Sequence, residues 1–173
     1  EVDAQQPGHI YFLHSAFPVN DDEAEPYTGK WIGKGAVSNP YKPRSFFHIS
    51  GMSYGALSSA AVTAPSEGAA MAGIWLDTGE GGLSPYHLKG DCDIVFQIGT
   101  AKYGVRDRDG NLDDERLKAI AALPQVRMIE IKLSQGAKPG RGGILPASKV
   151  TEEIAVGFGR TGTLFAAQQS GVQ

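Results

Sequence analysis

The sequence predicts an α/β fold whose strands run parallel. Three observations carry this expectation: short apolar runs recur between residues 46 and 133, a polar, glycine-bearing loop closes each of them, and helix-compatible stretches follow several of them. Strands separated by helices pair in parallel through right-handed crossovers. In such sheets the chemistry gathers at the carboxyl ends of the strands.

Residues 1–44 are turn-rich, with Pro7-Gly8, Asn20-Asp21-Asp22, Pro40 and Pro43 punctuating short apolar pieces such as residues 10–13, so an irregular arm is expected there. The expected strands cover residues 46–49, 73–76, 93–98 and 127–133. The expected helices cover residues 57–71, 113–123 and 146–155, with Asp113 as an N-cap and Pro146 in a first turn. Pro65 and Gly68 argue against a continuous first helix, because proline removes a backbone donor and glycine has poor helix propensity. The loops at the strand ends are unusual: Gly51-Met52-Ser53-Tyr54-Gly55, Asp77-Thr78-Gly79-Glu80-Gly81-Gly82, Gly99-Thr100, and the glycine-rich residues 134–143. All of them fall on one expected rim.

Composition narrows the function. The 173 residues are 41% hydrophobic and 20% charged, as in a single soluble globular domain, and fall short of the roughly 250 that a complete eight-stranded β/α barrel uses. There are 23 glycines, well above the usual share of roughly 7%, as loops of close approach or positive φ require. A net charge of −3 supplies no basic field for nucleic acid. Cys92 is the single cysteine, so this chain alone can form no internal disulfide, thiolate zinc site or iron–sulfur cluster, and a reducing cytoplasmic setting is expected. There is neither an apolar run long enough for a membrane span nor the charge-then-apolar order of a signal peptide. The first methionine is Met52, so the chain reads as cut from something longer.

Lys132 is the most informative single residue. Alternation along residues 128–133 puts Met128, Glu130 and Lys132 on one strand face and Ile129, Ile131 and Leu133 on the other. In a strand covered on both faces this buries two charges, which costs several kcal/mol per ion unless they are well paired. On an edge strand it makes only an exposed ion pair. Glu80 sits among glycines, where backbone can approach a flat ligand and the carboxylate can accept or take a proton, or else it is a solvated loop carboxylate. Gln97 ends an apolar strand, and its amide either reads a ring edge or is satisfied by nearby backbone. His9, His14, His48 and His87 have no metal-ligand spacing, and no hydrolase triad pattern appears. Residues 157–162 match G-x-G-x-x-G, but a helix-like segment precedes them and only eleven residues follow, too few to complete a βαβ unit.

Four segments taken in order, Ile49-Ser50-Gly51-Met52-Ser53-Tyr54-Gly55-Ala56-Leu57-Ser58, Thr78-Gly79-Glu80-Gly81-Gly82-Leu83-Ser84-Pro85-Tyr86-His87, Gln97-Ile98-Gly99-Thr100, and the stretch from Ile129-Glu130-Ile131-Lys132-Leu133-Ser134-Gln135-Gly136-Ala137-Lys138 to Gly143, resemble the FMN-binding domain of glutamate synthase. The likeness is greatest to the short, stand-alone FMN-binding glutamate synthase family and covers residues 33–155. The resemblance implies the amino-terminal half of a (β/α)8 TIM-type barrel over residues 45–155, preceded by the arm, with FMN at its carboxyl rim. The implied reaction is reduction of the imine of 2-oxoglutarate and ammonia to L-glutamate. By motif, Ser50, Met52 and Ser53 would lie against the flavin, Gln97 would hydrogen-bond the ring, and Lys132 would sit by its N1 and C2 carbonyl. Lys132 and Glu80 are the implied catalytic residues, and Glu80, Gln135 and Lys138 would line the substrate side.

The chain departs from the family pattern in several places. At the cofactor-binding position before Thr-Gly-Glu-Gly-Gly it carries Asp77 where an amide or hydroxyl residue is expected, and an ionised carboxylate would repel an anionic ring. The cluster cysteines of the larger enzymes and the late strands that would grip the FMN phosphate are missing, so weak FMN binding and no turnover are expected of the isolated chain. Residues 156–173 form a tail unlike the barrel family. Its residues 156–166 resemble class III pyridoxal-phosphate aminotransferases, with Glu152-Glu153 in the place of their Asp-Glu pair, which suggests a chimera. Two further readings stand beside the oxidoreductase: a non-catalytic half-barrel that self-associates through open sheet edges, and a piece of such a transferase.

Overall fold

The computed structural model describes residues 15–20, 22–134, 151 and 154. Within them lie three helices and one parallel three-stranded sheet: α1 (Ser59–Ala72), β1 (Trp75–Asp77), α2 (Pro85–Leu88), β2 (Asp93–Ile98), α3 (Asp114–Ala121) and β3 (Val126–Ile131), in the strand order β1-β2-β3. The fold is α/β, as expected, with both strand pairs parallel.

Helix α1 starts where Ser58 Oγ accepts the Ala61 N–H at 3.2 Å, and it stops at Gly73, whose left-handed φ of 66° turns its N–H back onto the Ala69 and Ala70 carbonyls. It runs through Pro65, so the expected interruption does not occur. The carbonyl that loses its donor there belongs to Ala61, an exposed residue that water can solvate, while Val62, Ser66 and Ala69 bury one continuous face. Because Gly73 serves as the cap, β1 begins later than the expected 73–76.

The expected strand at residues 46–49 reduces to one parallel bridge, Ile49 to Leu76. Ser45 turns the chain instead: its Oγ accepts the Phe47 N–H, its carbonyl lies 2.6 Å from His48 Nε2, and Phe46 and Phe47 stay exposed. The His48 ring stacks on Trp75 with centroids 3.2 Å apart. Strand β2 covers the expected residues and is buried along its middle. Asp113 caps α3 as expected, accepting the Glu115 and Arg116 N–H groups at 3.1 Å. Of the helix expected at 146–155 only two residues are described. Thr151 is not helical, and its Oγ1 accepts the Ile154 N–H, the arrangement of an N-cap rather than a helix interior.

The register sorts side chains by face. Leu76 pairs with Ile94, and with Ala69 and Cys92 they form the core beneath α1 and α2. Asp77 pairs with Val95, Val95 with Met128, and Gln97 with Glu130, so the other face carries Asp77, Gln97 and Glu130, and alternation adds Lys132. β3 is the edge of the described sheet, and its Ile131 and Leu133 are exposed.

Candidate functional site

Five polar side chains converge at the carboxyl ends of the three strands. Lys132 Nζ lies 2.8 Å from Glu80 Oε2, with both side chains largely covered. Strand β3 is an edge, as one of the two readings has it, but the pair is largely covered and joins Lys132 to Glu80 from the loop after β1, while Glu130 is engaged elsewhere. Its Oε1 accepts a short hydrogen bond from Gln97 Nε2. Asp77 is 4% exposed, its Oδ1 accepts the Gly79 N–H at 2.6 Å, and its pKa is pushed up to about 6. Burial is the largest cause and Glu130 adds to it, whereas the Gly79 N–H and the Lys132 charge pull the other way. The Gln97 amide gives its donor to the Glu130 side chain rather than to neighbouring backbone.

The loops around this cluster are packed on one another. A Cβ at Gly79 would lie 2.9 Å from the Ser53 nitrogen, one at Gly81 would strike Ser53 Oγ, and one at Gly99 would lie 2.5 Å from Glu80 Cβ. Glycine is thus required for loop-to-loop contact, and Gly79 also takes a φ of 64°. The loop of Ser50, Met52 and Ser53 is fastened to β1 by the Met52 N–H, which donates to the Asp77 carbonyl at 3.0 Å. Ser50 is exposed, Ser53 meets the glycine loop, and Met52 packs its side chain against the core. Gln135 and Lys138 lie outside the described residues, as do His9, His14 and residues 155–173.

His87 carries a positioning role that sequence spacing missed. Its Nδ1 accepts the Ser84 N–H at 3.0 Å, so Nε2 carries the proton and donates to the Met52 carbonyl at 2.6 Å. The ring is fully buried, and burial lowers its pKa, which keeps it neutral. Helix α2, which presents it, was also missed. Its signal is Ser84-Pro85, an N-cap residue followed by proline at the first helical position. Ser66 on α1 anchors α2 in turn, donating to the His87 carbonyl at 2.7 Å and accepting the Gly90 N–H at 2.9 Å.

Among the described residues no group of three metal-ligating side chains could hold a metal ion, and no helix is long and apolar enough to cross a membrane. The conserved region in glutamate synthase matches residues 8–158 of this chain. The glutamate synthase large subunit-like protein YerD of Bacillus subtilis is 43% identical over 146 residues, 84% of this chain and 26% of its own length. The archaeal glutamate synthase [NADPH] of Methanocaldococcus jannaschii is 38% identical over 136 residues, 76% of this chain and 24% of its own. A similar protein of Rhizobium meliloti, described as glutamate synthase large subunit-like, is 29% identical over 82% of this chain and 29% of its own length. The chain thus spans less than a third of these relatives. No solved structure matches it. With the family region matching most of its length, this chain belongs to the glutamate synthase family.

Proposed function

We propose that this chain carries part of an FMN-dependent glutamate synthase-type oxidoreductase, with its sheet forming the amino-terminal half of a (β/α)8 barrel and the flavin ring held at the carboxyl edge. The convergence of Asp77, Gln97, Glu130, Lys132 and Glu80 at three parallel strand ends supports this reading. The donor set suits a ring whose edge alternates donors and acceptors. Lys132 brings N–H groups beyond the one given to Glu80, and Gln97 keeps its carbonyl oxygen as an acceptor once its NH2 is given to Glu130. When bound, FMN supplies the hydride chemistry that turns the imine of 2-oxoglutarate and ammonia into L-glutamate. Lys132 stabilises negative charge at the ring edge, and Glu80 orients that ammonium. Ser50, Met52 and Ser53 form the wall that His87 holds in place. On the substrate side, Gln135 and Lys138 suit a dicarboxylate. The single, buried Cys92 leaves any iron–sulfur cluster to other chains or segments. The isolated chain binds FMN weakly and does not turn over.

Quenching of FMN fluorescence tests this. The intact chain should bind FMN, and Lys132→Met should weaken binding by about tenfold (~1.4 kcal/mol). Equal affinity of the two, or no binding by either, would refute the placement. FMN co-purifying at one per chain would refute the weak-binding claim.

A second reading has its own observation. Ile131 and Leu133 on edge strand β3 are 69% and 86% exposed, a surface that pairing with another copy would cover. A species that stays monomeric in sedimentation at all concentrations would argue against it.

A further inference from the structure

We infer that Thr78 is a positioning residue of the carboxyl edge, its hydroxyl tying the backbone of Gln97 to the loop that carries Glu80 so that these two side chains keep one fixed relation. In a parallel pair that continued past Asp77 and Val95, Thr78 would donate its N–H to the Val95 carbonyl and take the Gln97 N–H on its own carbonyl. The first of these bonds is present at 3.0 Å, but the second goes to the side chain, with Thr78 Oγ1 accepting the Gln97 N–H at 3.0 Å. The hydroxyl thereby extends the ladder by one bond while the main chain leaves the sheet through Gly79, whose φ is 64°.

The same oxygen also reaches into the loop. A threonine hydroxyl has one donor and two acceptor lone pairs, and here the donor goes to the Gly79 carbonyl at 2.9 Å while a lone pair holds Gln97. Asp77 Oδ1 takes the Gly79 N–H at 2.6 Å, so the peptides on both sides of Gly79 are held, and the second of them leads into Glu80. Gln97 and Glu80 are the residues whose side chains reach Glu130 and Lys132. Thr78, Gly79 and Gln97 are all buried, so no water stands ready to replace a lost hydroxyl. Valine would keep the shape of Thr78 and make neither bond, whereas serine would keep both. That this geometry serves FMN rests on the flavin reading. The coupling of Gln97 to the loop does not, and it is tested without flavin.

The test is NMR of the 173-residue chain without FMN, followed by FMN titration of the same samples. In the wild type the Gln97 backbone N–H should exchange as slowly as that of Ile94, which donates to the Gln125 carbonyl within the sheet. Thr78→Val should speed that exchange and move the resonances of the Gln97 side-chain NH2 and of Glu80, while Thr78→Ser should leave them close to the wild type. Binding of FMN should weaken about fivefold in Thr78→Val and stay within about twofold in Thr78→Ser. A wild-type Gln97 N–H that exchanges as fast as exposed loop amides would overturn the inference, whatever the stability of the variants. So would a Thr78→Val chain that is less stable in urea yet unchanged at Gln97 and Glu80, or a Thr78→Ser chain as perturbed as Thr78→Val. If the wild type binds no FMN, the flavin reading fails, and the amide measurements still decide the role of Thr78.

Discussion

Replacing Ser66 with alanine should cost about 3 kcal/mol of stability. Its hydroxyl is fully buried and serves two backbone groups, donating to the His87 carbonyl and accepting the Gly90 N–H. Removing it strands both groups, at about 1–3 kcal/mol each, partly relieved by local adjustment. No shift of Gly90 toward α1 can compensate, because a Cβ at Gly90 would already collide with the Ser66 carbonyl and the space is closed. The cost should fall first on α2 and therefore on the His87 bond to Met52 that steadies the strand-end loops. Urea denaturation followed by circular dichroism measures the loss, and hydrogen exchange at Ser84 and His87 reports its location. The exposed neighbour change Glu67→Ala should stay within about 0.5 kcal/mol. If Ser66→Ala is no more destabilising than Glu67→Ala, the anchoring argument is wrong.

Gly68→Ala should stabilise the chain by about 0.5–1 kcal/mol in urea melts, because Gly68 lies inside α1, a Cβ there meets nothing within 4 Å, and alanine is the better helix former. Gly81→Ala should destabilise by about 1–3 kcal/mol and shift the Ser53 and Tyr54 resonances, since its Cβ would strike Ser53 Oγ and lie 2.9 Å from the Tyr54 carbonyl oxygen. Asp77, at about 6 folded against 3.8 unfolded, binds its proton more tightly in the native state, so its contribution is present below about pH 4 and lost as pH rises through 6. The difference amounts to about 3 kcal/mol, so Asp77→Asn should gain up to that much on the wild type above pH 6 and little below pH 4. Stability curves of the two proteins that run parallel across this range would contradict it. Burial acts on His87 with the opposite sign, so in Asp77→Asn stability should fall as pH drops below 6.5.

Much of the sheet was legible in the sequence because strand β2 is buried on both faces, and a continuous apolar run ending in Gln97 can mean little else. The N-cap at Asp113 was equally plain. The failures have local causes. Pro65 is tolerated because the carbonyl it orphans lies on the exposed side of α1, a fact about packing that propensity does not contain. Phe46 and Phe47 look like strand residues, but Ser45 offers a turn through its own hydroxyl and no sheet face waits for them. At the site, alternation puts Glu130 and Lys132 on one face, yet only the register across β2 reveals that Glu130 serves Gln97, leaving Lys132 to Glu80. The glycines suit close approach to a ligand, but several of them serve contacts between loops.

The claim that the carboxyl edge of β1–β3 is where the flavin ring sits is tested most directly by titrating FMN into the isotope-labelled chain and following its amide resonances. The account predicts shifts concentrated at Gly79, Glu80, the Gln97 side chain and Lys132, with the pocket of about 500 Å³ between residues 32–41 and β3 unaffected. Shifts centred on that pocket, or none at saturating FMN, would contradict it.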